Sequence, residues 1–279
     1  MSKWNMIVDV EKCENCANCF LVTKDEHVGN DFPGYAAPQP LHGHRWVDIH
    51  RNERGQYPIV EANFMPVMCN HCDNAPCIGA GPKGAVYQRS DGIVIIDPVK
   101  AKGQKQIVDS CPYGAIFWNE ELDLPQKWIF DAHLLDAGWT RTRIEQSCPT
   151  GALRSLKVDD TEMSRMAVSQ SLEVLKPELN TRPRVYYRNL HLMTKCFVGG
   201  TIATRADGRE ECLAGVKATL VKGGQVVGQA VSDVFGEFKI DKLDPDSGNY
   251  ELTLEATSGK KASRAVRLGQ SQYLGVLEM

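Results

Sequence analysis

Two short runs of cysteine constrain this chain more than any other feature: Cys13-x2-Cys16-x2-Cys19 and Cys69-x2-Cys72-x4-Cys77. Two more cysteines stand directly before proline, in Cys111-Pro-Tyr-Gly-Ala and Cys148-Pro-Thr-Gly-Ala. These eight, of ten in all, lie before residue 150. The first ten residues show no apolar signal core, small-residue cleavage site or twin arginine. A cytoplasmic chain is therefore expected, and clustered cysteines in a reducing compartment argue for metal or redox chemistry over disulfides.

The spacing suggests which chemistry. A close triplet can wrap three corners of an iron–sulfur cube, and a remote Cys-Pro can supply the fourth while proline turns the backbone away. In bacterial ferredoxins the fourth cysteine of a run ligates the other cluster of the pair. Cross-ligation then assigns Cys13, Cys16, Cys19 and Cys148 to one [4Fe–4S] cluster. Cys69, Cys72, Cys77 and Cys111 form the second. Structural zinc is the alternative, since it takes four thiolates and favours C-x2-C pairs. Only Cys69/Cys72 matches that pattern well. A [3Fe–4S] form of the first cluster follows if Cys148 lies out of reach.

The positions without cysteine support the same pairing. If the chain descends from a four-motif, four-cluster ferredoxin, the missing ligands fall at Thr23, Trp128, Asp131 and Ile144 in one site. In the other they fall at Gly81, Ala101, Gln104 and Ile107. The eight losses empty two complete sites and leave two complete sites intact. Bulky Trp128 and Ile144 suit filling vacated volume, because an empty hole costs packing energy.

Three segments follow from the pattern. Residues 1–160 are rich in Gly, Pro and turn dipeptides, with strand-like Ile59–Asn63 and Ile93–Ile96 and short helical stretches at Pro98–Val108 and Ala132–Asp136. Such a loop-rich chain would rely on inorganic clusters as cross-links. Residues 161–194 read as helix and extended linker. The helix runs over Asp159–Val174 with Met163, Met166, Val168 and Leu172 on one side, and the linker over the Pro-punctuated Lys176–Asn189. Residues 195–279 carry short alternating segments at Val216–Val221, Val226–Val231, Glu237–Ile240, Tyr250–Ala256 and Ala262–Leu268, which predict an all-β sandwich.

The rest of the sequence excludes more than it adds. At a net charge of −3 there is no electrostatic pull toward nucleic acid or an anionic membrane. No apolar run reaches the ~20 residues of a membrane span. Neither a Ser/His/Asp arrangement nor a phosphate-cradling Gly loop is present, and Glu120/Glu121 and Asp159/Asp160 read as solvated faces. No active site is expected on this chain. His42, His44 and His71 are expected at the surface or just behind the ligands and not to ligate, and Cys196 and Cys212 to be ordinary buried thiols.

With these motifs placed, the chain resembles the iron–sulfur subunits of the dimethyl-sulfoxide-reductase family of molybdopterin enzymes. It is most similar to the small (beta) subunits of the pyrogallol–phloroglucinol transhydroxylase and resorcinol hydroxylase group. The resemblance runs through Gly43-His-Arg-Trp-Val-Asp-Ile, Cys69-Asn-His-Cys-Asp-Asn-Ala-Pro-Cys77 and Gly84-Ala-Val-Tyr-Gln-Arg-Ser-Asp-Gly-Ile-Val. It continues in Cys111-Pro-Tyr-Gly-Ala-Ile-Phe-Trp-Asn-Glu-Glu, Lys176-Pro-Glu-Leu-Asn-Thr-Arg-Pro-Arg-Val-Tyr-Tyr and Phe235-Gly-Glu-Phe-Lys. It implies an α+β ferredoxin-like domain of two pseudo-symmetric halves, then a transthyretin-like, Ig-like or carboxypeptidase-regulatory-like sandwich. It also implies a heterodimer with a large catalytic subunit holding molybdopterin guanine dinucleotide, and an external electron acceptor, in anaerobic aromatic degradation. The expected role is electron transfer; the alternative is a scaffold with vestigial clusters that docks the catalytic subunit. By the same resemblance, the group's small subunit keeps cysteines where this chain has Thr23, Trp128, Asp131 and Ile144, which implies that this chain would hold one cluster fewer.

Overall fold

The computed structural model describes residues 1–206 and 209–279. The chain divides into two compact units, Met1–His50 with Phe64–Leu190, and Arg51–Asn63 with His191–Met279.

The first unit is organised on a strand that sequence alternation does not reveal. Lys3–Asp9 is buried almost throughout, as a strand covered on both faces must be. It pairs antiparallel with Leu153–Val158 (Met6 opposite Ser155) and parallel with Val185–Arg188 (Met6 opposite Val185). The second pairing corrects the reading of 161–194 as a linker. Its Pro-punctuated stretch ends in a sheet strand of the first unit, because Val185 and Tyr187 are wholly buried there while the backbone completes the ladder. The preceding helix covers Asp160–Ser169, and the Asp159 side chain accepts from the Glu162 N–H at 2.8 Å. Met163 is buried against Ile7 and Leu172. Val168, expected on the same stripe, is 84% exposed; five residues on, it points roughly 140° away from Met163. Leu172 reaches the core from beyond the helix, where its N–H bonds the Ala167 carbonyl at 2.8 Å.

Elsewhere in this unit the elements are short. Val86–Gln88 pairs with Val94–Ile96, and Phe117–Asn119 with Leu124–Gln126. Ala132–Asp136 is helical as expected. Over Pro98–Val108, by contrast, the helix is confined to the single turn Gln106–Asp109. Gly103, at φ 75°, interrupts the segment in a conformation that a continuous right-handed helix cannot use.

In the second unit, among the described residues, two sheets contribute to one core. Cys196–Ala206 pairs with Arg209–Cys212, Glu237–Leu243 and Gln272–Glu278. The other sheet runs Gln225–Val231, Lys217–Lys222, Gly248–Glu255, Lys261–Leu268. Val198, Ile202, Phe238 and Ile240 of the first meet Leu220, Leu252, Leu254 and Val266 of the second. All five segments read as strands are strands. Cys196–Ala206 and Gln272–Glu278 give no such signal, because Gly199, Gly200 and Gly275 dilute it. Gly200 is in close quarters: a Cβ there would stand 3.1 Å from the Phe238 ring and 3.2 Å from the Gly275 carbonyl. Cys196 is buried, but Cys212 is exposed at a strand end and is not a core thiol.

The hairpin of Val47–Gln56 and Ile59–Met68 contributes its tip to this second unit. Arg54, only 3% exposed, meets both oxygens of Asp241 at 2.9 Å and Glu61 at 2.6 Å.

Candidate metal centres

Cys13 follows the turn Val10–Lys12 at the end of the central strand, and its N–H bonds the Val10 carbonyl at 3.3 Å. Asn15 and Ala17 then take left-handed conformations (φ 57° and 60°), which turn the chain sharply between the three cysteines. Cys19 lies in the helix Asn18–His27. Cys148 follows the helix Arg143–Gln146, and the Asn18 amide donates to the Ser147 carbonyl at 3.3 Å. Cys13, Cys16, Cys19 and Cys148 thereby come within electrostatic reach of one another. Burial and then the neighbouring Cys13, Cys148 and Cys16 push the Cys19 thiol up to about 12. Burial also raises Cys13, partly offset by the Asn15 N–H and reinforced by Cys148, Cys16 and Glu14. This quartet reaches the surface: Cys16 is exposed, and Cys13 and Cys148 are half-buried.

The second quartet lies deeper. Cys69 and Cys72 flank a loop in which His71 takes φ 44°, Cys77 sits in the turn Pro76–Gly79, and Cys111 follows Gln106–Asp109. All four line a single cavity with Val94, Tyr113 and Ile116. Burial, then Cys69, pushes Cys77 up to about 12; burial and Cys69 do the same to Cys72. Thr181, which shares a 2.5 Å hydrogen bond with Tyr113, moderates the rise at Cys72.

Sequence reasoning missed what holds this loop in place. The segment 181–184 runs beside it: Asp73 and Asn74 donate their N–H groups to the Arg182 and Thr181 carbonyls, and Arg184 donates its N–H to that of Asn70. The Arg184 guanidinium, 3% exposed, binds Asp73 (2.8 Å from Nε) and Asp160 (2.9 Å). Asp160 is therefore an ion-pair partner as well as a solvated acid. His71 is fully buried, and its Nδ1 accepts from the Val94 N–H at 3.0 Å. His44 bonds the Trp118 carbonyl at 2.8 Å, and His42 is exposed. His71 lines the cavity of the second quartet beside its four cysteines.

Six of the eight positions without cysteine are buried; Gly81 and Gln104 are half-exposed. Ala101 and Ile107 are wholly buried in the core beside Cys77. A Cβ on Gly81 would lie 2.8 Å from Ile107 Cδ1, so the isoleucine occupies space that only glycine leaves free. Thr23, Trp128, Asp131 and Ile144 are each no more than 3% exposed. Trp128 donates to Asp131 at 3.1 Å, the Arg143 N–H donates to the same carboxylate at 2.8 Å, and the Thr23 hydroxyl bonds the Cys19 carbonyl at 2.8 Å.

Among the described residues, no three His, Cys, Asp or Glu side chains converge closely enough to hold one metal ion. Four thiols spread around a cavity suit a group larger than an ion, and an all-sulfur donor set suits iron–sulfur ligation. Residues 60–158 match the family described as a 4Fe-4S dicluster domain. Over 282 aligned residues, covering all of both chains, this protein is 43% identical to the pyrogallol hydroxytransferase small subunit of Pelobacter acidigallici. It is 33% identical to a tetrathionate reductase subunit of Salmonella typhimurium, over 67% of this chain and 73% of that one. With the arsenate respiratory reductase iron–sulfur subunit of a Shewanella species the identity is 26%, over 65% of this chain and 94% of the relative. The chain belongs to the iron–sulfur electron-transfer subunits of the dimethyl-sulfoxide-reductase family of molybdenum oxidoreductases.

Proposed function

We propose that this chain carries two [4Fe–4S] clusters, one on Cys13, Cys16, Cys19 and Cys148 and the other on Cys69, Cys72, Cys77 and Cys111. They would serve a large molybdopterin guanine dinucleotide subunit acting on phenolic compounds such as resorcinol or pyrogallol in the cytoplasm. The observation that carries this reading is the grouping of the cysteines: each close triplet has one remote Cys-Pro cysteine beside it, and six of the eight vacated positions (Thr23, Ala101, Ile107, Trp128, Asp131 and Ile144) hold buried side chains. Bound clusters would supply one-electron storage and transfer. The chain's own residues position and insulate them. Arg184 and the segment 181–184 fix the Cys72 loop, Thr181 faces the Cys72 sulfur, and Ile107 and Trp128 keep the vacated volumes dry. No helix among the described residues is long and apolar enough to cross a membrane.

The packed vacancies also favour a second reading, in which the clusters are structural and the chain docks the catalytic subunit. Where a four-cluster ferredoxin would place intermediate carriers, Ile107 and Trp128 now stand. Adding resorcinol or pyrogallol anaerobically to the purified complex separates the two. Reduced iron–sulfur signals rising within the turnover time support the relay. Turnover with those signals unchanged supports the scaffold.

A further inference from the structure

Lys127 is among the largest wholly buried side chains of the protein, 2% exposed. Its ammonium donates to two main-chain carbonyls, Val94 at 2.5 Å and Trp128 at 3.2 Å, and pairs with no carboxylate among the described residues. Withdrawing such a charge from water is strongly unfavourable unless an anion compensates it. Two carbonyl dipoles compensate it only in part. The other buried cation nearby, Arg184, is already neutralised by Asp73 and Asp160, and burial, with Lys127 and Arg184 beside it, pushes His71 well below its ordinary range.

The missing anion has a place. Val94, which accepts from Lys127, also lines the cavity of Cys69, Cys72, Cys77 and Cys111, and its N–H donates to His71. Lys127 is thus one residue removed from the cavity, and its charge favours ionised Cys77 and Cys111. Four thiolates around an iron–sulfur cube leave a net negative charge, and reduction adds one more. At Cys13 of the first quartet, by contrast, the charge that acts from outside its own thiols is the acidic Glu14.

We propose that Lys127 is the built-in counter-charge of the deeper quartet, raising the potential of the site formed by Cys69, Cys72, Cys77 and Cys111 relative to the same site without it. This rests on the two-cluster reading. The plainer role, a staple between two carbonyls, would not depend on charge.

The test uses the full chain reconstituted anaerobically with iron and sulfide, with the two signals assigned by the loss of one in Cys111→Ser. In Lys127→Gln, which keeps a donor but loses the charge, that signal is expected to shift. At fixed potential the reduced-to-oxidised ratio should fall tenfold or more, a drop of about 59 mV for one electron. The other signal should stay in place, and Lys127→Arg should restore the first. Should Lys127→Gln not retain its cluster, Lys127→Met is titrated instead, with the same expectation. Unchanged ratios in the neutral variants, with clusters retained, overturn the proposal. A wild-type chain that takes up no iron and sulfide on those four cysteines overturns it together with the two-cluster reading, and iron analysis shows which has failed.

Discussion

The two cysteine quartets offer the same four donors in different surroundings. Cys13, Cys16, Cys19 and Cys148 sit at the end of a strand, with Cys16 exposed and Glu14 adjacent. Cys69, Cys72, Cys77 and Cys111, three of them buried, line one cavity, braced by Arg184 and accompanied by a buried lysine. Burial disfavours added negative charge, whereas a nearby cation favours it. On the two-cluster proposal, added charge at the shallower site would be solvated by water, and at the deeper one it would be balanced by a fixed cation. Identical ligands do not make equivalent sites; the low-dielectric surroundings and their fixed charges distinguish them.

The largest expected effect separates the quartets directly. Cys111→Ser and Cys16→Ser should each reduce iron from about eight to about four per chain, but with unequal effects on folding. Loss of the buried site should destabilise the first unit by roughly 4 kcal/mol or more, since cofactor binding there is also folding free energy. Loss of the exposed one should cost clearly less. Equal melting temperatures for the two variants would break the comparison.

A control away from both quartets sharpens it. In the second unit, burial pushes the Glu61 and Asp241 carboxyls up, but Arg54 and Lys239 outweigh it and hold both below their ordinary range. Such groups contribute stability above the ordinary carboxylate range and lose it as pH falls through their folded values. Arg54→Met should cost roughly 3–5 kcal/mol at neutral pH. That cost should shrink on acidification as the carboxyls protonate, followed by melts of the second unit, while iron content stays unchanged. A cost that does not vary with pH would remove the ion pairs from the account.

The vacated site beside the deeper quartet gives a smaller, graded response. Ile107→Ala should cost about 2–5 kcal/mol through the cavity it opens. Gly81→Ala should cost about 1–3 kcal/mol through overpacking, because its Cβ would meet Ile107 at 2.8 Å. Combining Gly81→Ala with Ile107→Val should recover part of the second loss, a coupling readable in a double-mutant cycle. Strict additivity would mean the two residues do not share that space.

What was legible in the sequence was chemistry that requires particular residues at short range. Only cysteine supplies the expected donors, so Cys13-x2-Cys16-x2-Cys19 and Cys69-x2-Cys72-x4-Cys77 are visible without any fold, and so are the gaps at Gly81 and Trp128. Alternation showed the strands over 216–268, where each carries an apolar face into a shared core. Pairings across long separations were not legible. Nothing local in Val185–Arg188 says that it lies beside Lys3–Asp9, or that Arg184 reaches Asp73. Lys127 was invisible for a different reason: a lysine reads as surface from sequence, since it is almost never wholly buried unless something pairs with it.

The most direct test of the account is iron and acid-labile sulfide analysis of the anaerobically purified chain, with EPR of the reduced protein. Two cubanes with four thiolates each predict about eight iron and eight sulfide and two paramagnetic centres. Zinc without sulfide would contradict the redox reading outright, and about twelve iron would mean that one of the packed positions, at Ile107 or Trp128, still houses a cluster.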